Sequence, residues 1–333
     1  MKRILALGLA ATLLATACSS SSGGAGSITL YSGRSEDLVQ PLIDQFTELT
    51  GIAVRVKYAG SSDLAATITE EGDNSPADVF FAQDPASLGT VALAGLFEEL
   101  PDDILSVVPS RFSDSQGAWV GTSGRARVVV YDPSVIAASE IPETEDGFID
   151  PSWEGLVGIA PTNGSFLAFV ATKILTDGED ATLTWLEGME SNGSPTYPKN
   201  SPIVAAVNDG QIPVGLVNHY YLLRALAENP DEPGANHFFE VSTAGGLVMP
   251  AGAGILATSD NKDAAQRFVA FLVSDEAQEF FATETFEYPL VPGIEANPLL
   301  PPIDTIPTPD VDLSELATVL DVATDLVAQA GLL

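Results

Sequence analysis

The chain has 333 residues, 45% of them hydrophobic and 18% charged, enough to bury one or two large cores. Its 46 acidic against 13 basic residues leave a formal net charge of -33, which repels a phosphate backbone and argues against a nucleic-acid binder. Such a surface suits a soluble extracellular protein and does not oppose a cationic ligand.

The first stretch reads as a targeting segment. Lys2 and Arg3 precede an apolar run over 4–14 that is too short for a permanent membrane anchor. Ala15-Thr16-Ala17-Cys18 follows and resembles the bacterial lipobox, with Ala15 where Leu is more usual. Cys18 is the only cysteine, so an intrachain disulfide is ruled out and lipidation is the expected role. Residues 1–17 are then a signal peptide, and 18–26, rich in Ser and Gly, a flexible tether behind the lipid anchor. No other stretch reads as a membrane span.

Strand and helix signals then alternate. Ile28, Leu30 and Tyr31 predict a strand, Gly33-Arg34-Ser35 a turn, and Leu38, Leu42, Phe46 and Leu49 a helix over 36–50 that stops at Gly51. Ile52, Val54 and Val56 alternate as a second strand, giving a β-α-β opening with a parallel pair. A helix over 63–71 leads to a buried strand over 77–81. That strand ends in the polar loop Ala82-Gln83-Asp84-Pro85, at the carboxyl end where open α/β sheets bind ligands.

A β-branched strand over 125–131 starts with Arg125 and Arg127, which share one face. A short strand over 157–160 turns through Pro161-Thr162-Asn163-Gly164-Ser165 into a helix over 166–175, and the free backbone donors of such a turn favour an anion. Tyr197 to Pro202 leads into another helix, with Pro202 near its first position.

The strand over 212–217 runs into Asn218-His219-Tyr220-Tyr221, where Asn218 is placed to cap a helix carrying Leu222, Leu223 and Leu226. Neighbouring tyrosines on a helix point about a hundred degrees apart, so one is expected buried and the other exposed. A strand over 247–256 is expected to cross between lobes. Helices over 262–272 and 275–282 follow, then an irregular proline-rich stretch over 288–309 and a closing helix over 313–329. The fold class is α/β, two open lobes joined by crossing strands around a cleft.

With these residues in view the chain resembles the ferric-iron-binding periplasmic proteins, receptors of ABC importers with the type II two-lobed fold. The stretches that carry the likeness include ITLYSGRSEDLVQPLIDQFTELTGI, SPADVFFAQD, GRARVVVYD, GIAPTNGSF, YPKNS, VNHYYLLR and EYPLVPG. The resemblance implies that Tyr220 and Tyr221 bind Fe³⁺ from the second lobe. It implies that the turns at Asn163, Gly164 and Ser165, at Asn200 and at Asn218 hold a small synergistic anion such as phosphate, carbonate or citrate. Part of the family adds a first-lobe His and Glu; here Ser35 and Gln83 stand in those places, with Asp84 next to Gln83 and Arg34 next to Ser35. These four are candidate first-lobe metal or anion contacts. The implied lobes are 27–126 with 252–302, and 127–251 with 303–333. The implied role is a monomeric extracytoplasmic lipoprotein, not an enzyme, that hands iron to an ABC permease.

The chemistry agrees independently. Fe³⁺ is hard and prefers oxygen anions, and a phenol, which ionises only near about pH 10, must release its proton to the metal. Two phenolates leave one positive charge, which an anion on the helix-start donors neutralises. His219 and His237 are the only histidines, and His219 is expected to be structural. Arg34 and Arg125 face two readings, anion contact or salt bridge with one of the many carboxylates. Tyr31, Tyr131, Tyr197, Trp119, Trp153 and Trp185 are expected in packing. Two rivals remain: a receptor of the same fold for an organophosphonate or phosphate ester, and an enzyme. The second finds no support, since G-x-S-x-G, H-E-x-x-H and P-loop patterns are absent from the sequence.

Overall fold

A computed structural model describes residues 26–333; the predicted signal segment and Cys18 lie outside the described residues. In chain order come β1 (Ser27–Ser32), α1 (Glu36–Thr50), β2 (Ala53–Tyr58), α2 (Ser61–Glu71), β3 (Val79–Ala82), α3 (Pro85–Leu93), the single turn α4 (Asp102–Leu105) and β4 (Val120–Tyr131). Then come β5 (Val157–Gly158), α5 (Gly164–Asp177), α6 (Glu179–Ser191), α7 (Asn200–Asn208), β6 (Val214–Asn218), α8 (Tyr220–Glu228) and β7 (Ala235–His237). The last are β8 (Val248–Ile255), α9 (Lys262–Leu272), α10 (Asp275–Thr283), β9 (Tyr288–Pro289) and α11 (Leu320–Gln329).

The strands form one curled path, β2-β1-β3-β8-β4-β6-β5, with β7 and β9 also paired to β4. β1 runs parallel to β2 and β3, as the β-α-β opening requires, and β5 runs parallel to β6. β4 joins the halves. Its first part, through Ala126, pairs antiparallel with β8, and its second part, from Arg127, pairs with β6 and β7. The register slips between Gly121 and Ser123, and such a bulge bends the strand as it leaves the first lobe.

Helices cover the sheet with apolar faces, while α6 and α11 pack on α5 in a further layer. On α1, Leu38, Val39, Leu42, Ile43 and Phe46 are buried, and Phe46 meets Phe268 of α9 edge-on with ring centroids 5.0 Å apart. Trp119, Trp153 and Trp185 pack in the core as expected, and so does Tyr31, whereas Tyr131 and Tyr197 are half-buried.

Three local expectations need correction. The polar loop after β3 is shorter than the expected 82–85: only Gln83 and Asp84 lie between strand and helix, and the Asp84 side chain accepts the Ser87 N–H at 2.8 Å and caps α3, with Pro85 at the first helical turn. The closing segment is not one helix: Leu313–Val319 is a 3-10 helix packed on α3 and α5 before α11 begins. Asn218 does not cap α8. It is the last residue of β6, its Oδ1 accepts from Arg127 Nη1 at 3.5 Å, and His219 is already helical in the cap position. No helix among the described residues is long and apolar enough to cross a membrane.

Candidate functional site

Four turns at the carboxyl ends of parallel strands face one another: 33–35 after β1, 83–84 after β3, 161–165 after β5 and 219–221 after β6. They border a cleft of about 570 Å³ whose lining includes Arg34, Ser35, Gln83, Asn163, Gly164 and Tyr221. Close packing holds the rims. Gly33 lies so near α2 that a Cβ there would meet Ser61 Oγ at 2.0 Å, and the same Oγ accepts the Gln83 N–H at 3.0 Å. Across the cleft, a Cβ on Gly164 would stand 3.1 Å from Gln83 Nε2 and 3.2 Å from Asp84 Oδ2. Glycine at the start of α5 lets the second lobe approach the first this closely.

The tyrosine pair sits on the first turn of α8. Tyr220 is buried and Tyr221 half-buried, and their rings stack with centroids 4.2 Å apart and planes inclined by 28°. The hydroxyls of Tyr31, Tyr58 and Tyr288 donate to Glu71, Gln40 and the Pro301 carbonyl; those of Tyr220 and Tyr221 donate to no described residue. Burial, with Tyr221 adding to it, pushes the Tyr220 phenol well above its usual value against the pull of Arg34 and Arg125.

Behind Tyr220 lies a buried charge cluster. Arg34 Nη2 donates to both oxygens of Glu287 at 2.9 Å, and Arg125 Nε stands 3.9 Å from the same carboxylate. Ser123 and Thr285 hydroxyls complete its shell at 3.1 and 3.0 Å. Burial would raise the Glu287 carboxyl, but the two arginines override it and hold it below the ordinary range. Of the two readings for Arg34, the salt bridge is the one formed. Arg34 Nη1 and the Nε and Nη1 of Arg125 are buried with no partner. Arg127 is buried too, over the Phe169 ring at 5.6 Å and with no ion pair among the described residues, and burial lowers it to about 9. The cations of Arg34 and Arg125 are paired through Glu287, and what the cluster leaves over is a small set of buried N–H donors without an acceptor.

The second-lobe turns divide into wall and backing. Asn163 and Gly164 line the cleft, whereas Ser165, Asn200 and Asn218 are buried behind it. Asn163 Oδ1 accepts the Ser165 N–H at 3.0 Å and its hydroxyl at 2.6 Å, and Asn200 Nδ2 braces that oxygen at 3.3 Å. The Nδ2 of Asn218 has no partner and is a ready donor. In the first lobe, Ser35 and Gln83 line the cleft; Asp84 is buried, bonded to Ser87, and raised by burial.

Glu287 escaped the sequence reading, although it lies in the EYPLVPG stretch, because nothing local marks a carboxylate whose partner is 253 residues away. Thr162, Lys199 and Ser61 also line the cleft. Lys199 belongs to the YPKNS stretch and was open to view; Ser61 is an ordinary helix-start residue until the fold sets it under Gln83.

Comparison with known proteins places this architecture. A family profile described as bacterial extracellular solute-binding protein matches residues 74–312. The major ferric iron-binding protein of Neisseria meningitidis serogroup B is 36% identical over 325 residues, 96% of this chain and 97% of the relative. Among solved structures, iron-bound HitA from Pseudomonas aeruginosa superposes with a TM-score of 0.88 at 32% identity, covering 92% of this chain and 99% of HitA. Trichodesmium FutA in complex with iron and citrate gives 0.79 at 29% identity, with 92% and 99% covered. The chain therefore belongs to the bacterial extracellular solute-binding proteins, in the branch of the ferric iron-binding periplasmic proteins.

Proposed function

We propose that this protein captures Fe³⁺ in the cleft with Tyr220 and Tyr221 as paired phenolates and a small synergistic anion, and delivers it to an ABC permease. The observation that carries the reading is the stacked pair itself: two phenols bonded to no described residue, on a helix start where Tyr221 lines the cleft and Tyr220 lies behind it, within reach of the buried Arg34 and Arg125. Iron supplies the charge that draws the protons from the phenols, and the arginines lower the cost of the resulting anions. The anion, phosphate, carbonate or citrate, sits on the Asn163 to Ser165 turn with Asn200 and Asn218. The relatives support this: the Neisseria protein is named for ferric iron, and the Trichodesmium protein holds iron with citrate.

The lobes in this reading are 27–126 with 252–302, and 127–251 with 303–333, closing on ligand by a hinge. The mature chain is a monomer tethered outside the cytoplasm by acyl groups on Cys18, and it binds and transports rather than catalyses. A second reading draws on one observation, that Ser35 and Gln83 on the first-lobe rim are neutral: the cleft would then take an organophosphonate or phosphate ester without metal. Ferric loading in the presence of phosphate, carbonate or citrate separates the two. A visible phenolate-to-iron absorption is expected; a colourless protein that still binds the anion tightly would replace the first reading with the second.

A further inference from the structure

Arg224 lies three residues beyond Tyr221 on α8, in the second lobe. Its Nη2 donates to Asp37 Oδ2 at 2.8 Å, and Asp37 stands in the first turn of α1, in the first lobe. Arg224 has carboxylates of its own lobe around the same cavity. Glu228, four residues on, and Asp209 and Glu232 line the same cavity of about 370 Å³ as the pair, yet the ion pair formed reaches across the cleft. Tyr221 borders both this cavity and the main cleft. The lobes thus touch on two sides of Tyr221: Gly164 against Gln83 and Asp84 on one, Arg224 against Asp37 on the other.

We propose that the Asp37–Arg224 ion pair is a latch that forms only when the lobes close, holding the cleft shut beside Tyr221; this rests on the cleft being the ligand site. On opening, Arg224 moves away with α8 and exchanges Asp37 for the carboxylates of its own lobe. Asp37 keeps its favourable place at the α1 N-terminus in either state. Because the exchange trades one exposed pair for another, the latch biases closure only several-fold, and a ligand contact that tightens on closure remains the main term. A weak latch suits a carrier that must reopen at its permease. Salt weakens it, since the Asp37 side chain is 62% exposed.

The test is a double-mutant cycle with Asp37→Asn, Arg224→Gln and both together. Release of iron from the ferric phosphate complex to excess chelator is followed by stopped flow. Either single change is expected to speed release about two- to fivefold at low salt, the double no more than either single, and the differences vanish at high salt. Spin labels on Leu49→Cys and Val135→Cys, in a Cys18→Ser background, read closure of the iron-free protein with added phosphate. The closed population should fall in each single variant and no further in the double. If the wild type takes up no iron, the proposed function fails, and the label distances alone decide the latch. Additive effects of the two substitutions, an effect of Arg224→Gln without one of Asp37→Asn, or label distances unchanged in every variant would overturn it.

Discussion

His219 donates its Nε2–H to the carbonyl of Phe286 at 2.9 Å while its Nδ1 accepts the Ala126 N–H at 3.1 Å. The two bonds assign one neutral tautomer and lock the residue before Tyr220 between β4 and the loop that precedes β9. Phe286 holds a left-handed φ of 58°, which a non-glycine residue adopts only under constraint; its carbonyl serves His219 and the next residue is Glu287. One strained turn thereby touches the tyrosine turn and the arginine cluster.

That locked imidazole predicts an acid-sensitive fold. Burial lowers His219 to about 4, while the unfolded chain binds the proton near about 6.5. The group's contribution is therefore fully present above about pH 6.5 and is lost as pH falls toward 4, in total about 3 kcal/mol. Guanidinium denaturation of the iron-free protein at pH 7, 5 and 4 measures it. His219→Asn keeps an acceptor for the Ala126 N–H, so its stability should fall less steeply across the same window. Parallel slopes for variant and parent would remove His219 as the cause.

A second buried group predicts a mutational penalty. Glu145, Asp146 and Asp177 bring carboxylate oxygens within 4.8 Å of one another, an arrangement that resembles a cation site. The Lys173 ammonium occupies it, donating to Asp146 and Asp177 at 2.6 Å and to Glu145 at 3.4 Å. Lys173→Met leaves the buried Glu145 carboxylate without its counter-charge and should cost about 3 kcal/mol. Adding Glu145→Gln should recover part of that loss. A penalty below about 1 kcal/mol for Lys173→Met would mean that the cage contributes little.

Local patterns made most elements readable. Helix 36–50 announced itself by its apolar spacing and Gly51, and the parallel β1–β2 pair followed from the alternation of Val54 and Val56. What escaped depends on distance. Asp84 reads as a polar loop residue until α3 forms beneath it. Asn218 looks like a cap until Arg127, from a strand 91 residues earlier, takes its oxygen. In the candidate site, Tyr220 and Tyr221 were legible as a pair, but their stacking and the arginines behind them were not. Those depend on β4 and the Glu287 turn meeting at the lobe junction.

The N-terminal segment carries its own prediction. If Cys18 is the acylated residue, Cys18→Ser should release the protein from the membrane fraction into the soluble fraction, with ferric binding intact. Fractionation followed by immunoblotting reads the outcome. A variant that stays with the membrane would show that something other than an acyl anchor on Cys18 holds the chain there.

The strongest prediction concerns the tyrosines. Phenylalanine keeps the ring, and with it the 4.2 Å stack, but removes the oxygen. Tyr220→Phe should leave stability nearly unchanged, because the hydroxyl bonds to no described residue and the ring keeps its packing. Tyr221→Phe, on the cleft wall, should be nearly neutral for folding. Each should weaken ferric binding by about a hundredfold or more, the loss of one charged oxygen ligand at roughly 1.4 kcal/mol per tenfold, and should dim or shift the visible absorption. Ser35→Ala and Gln83→Ala remove neutral side chains and should cost far less. Stripping phosphate, carbonate and citrate should weaken the wild type markedly, because no anion would then neutralise the positive charge that two phenolates leave on Fe³⁺. Isothermal titration and the absorption spectrum measure all of these. If both phenylalanine variants bind Fe³⁺ as tightly as the parent, the pair is packing and the cleft belongs to an anion.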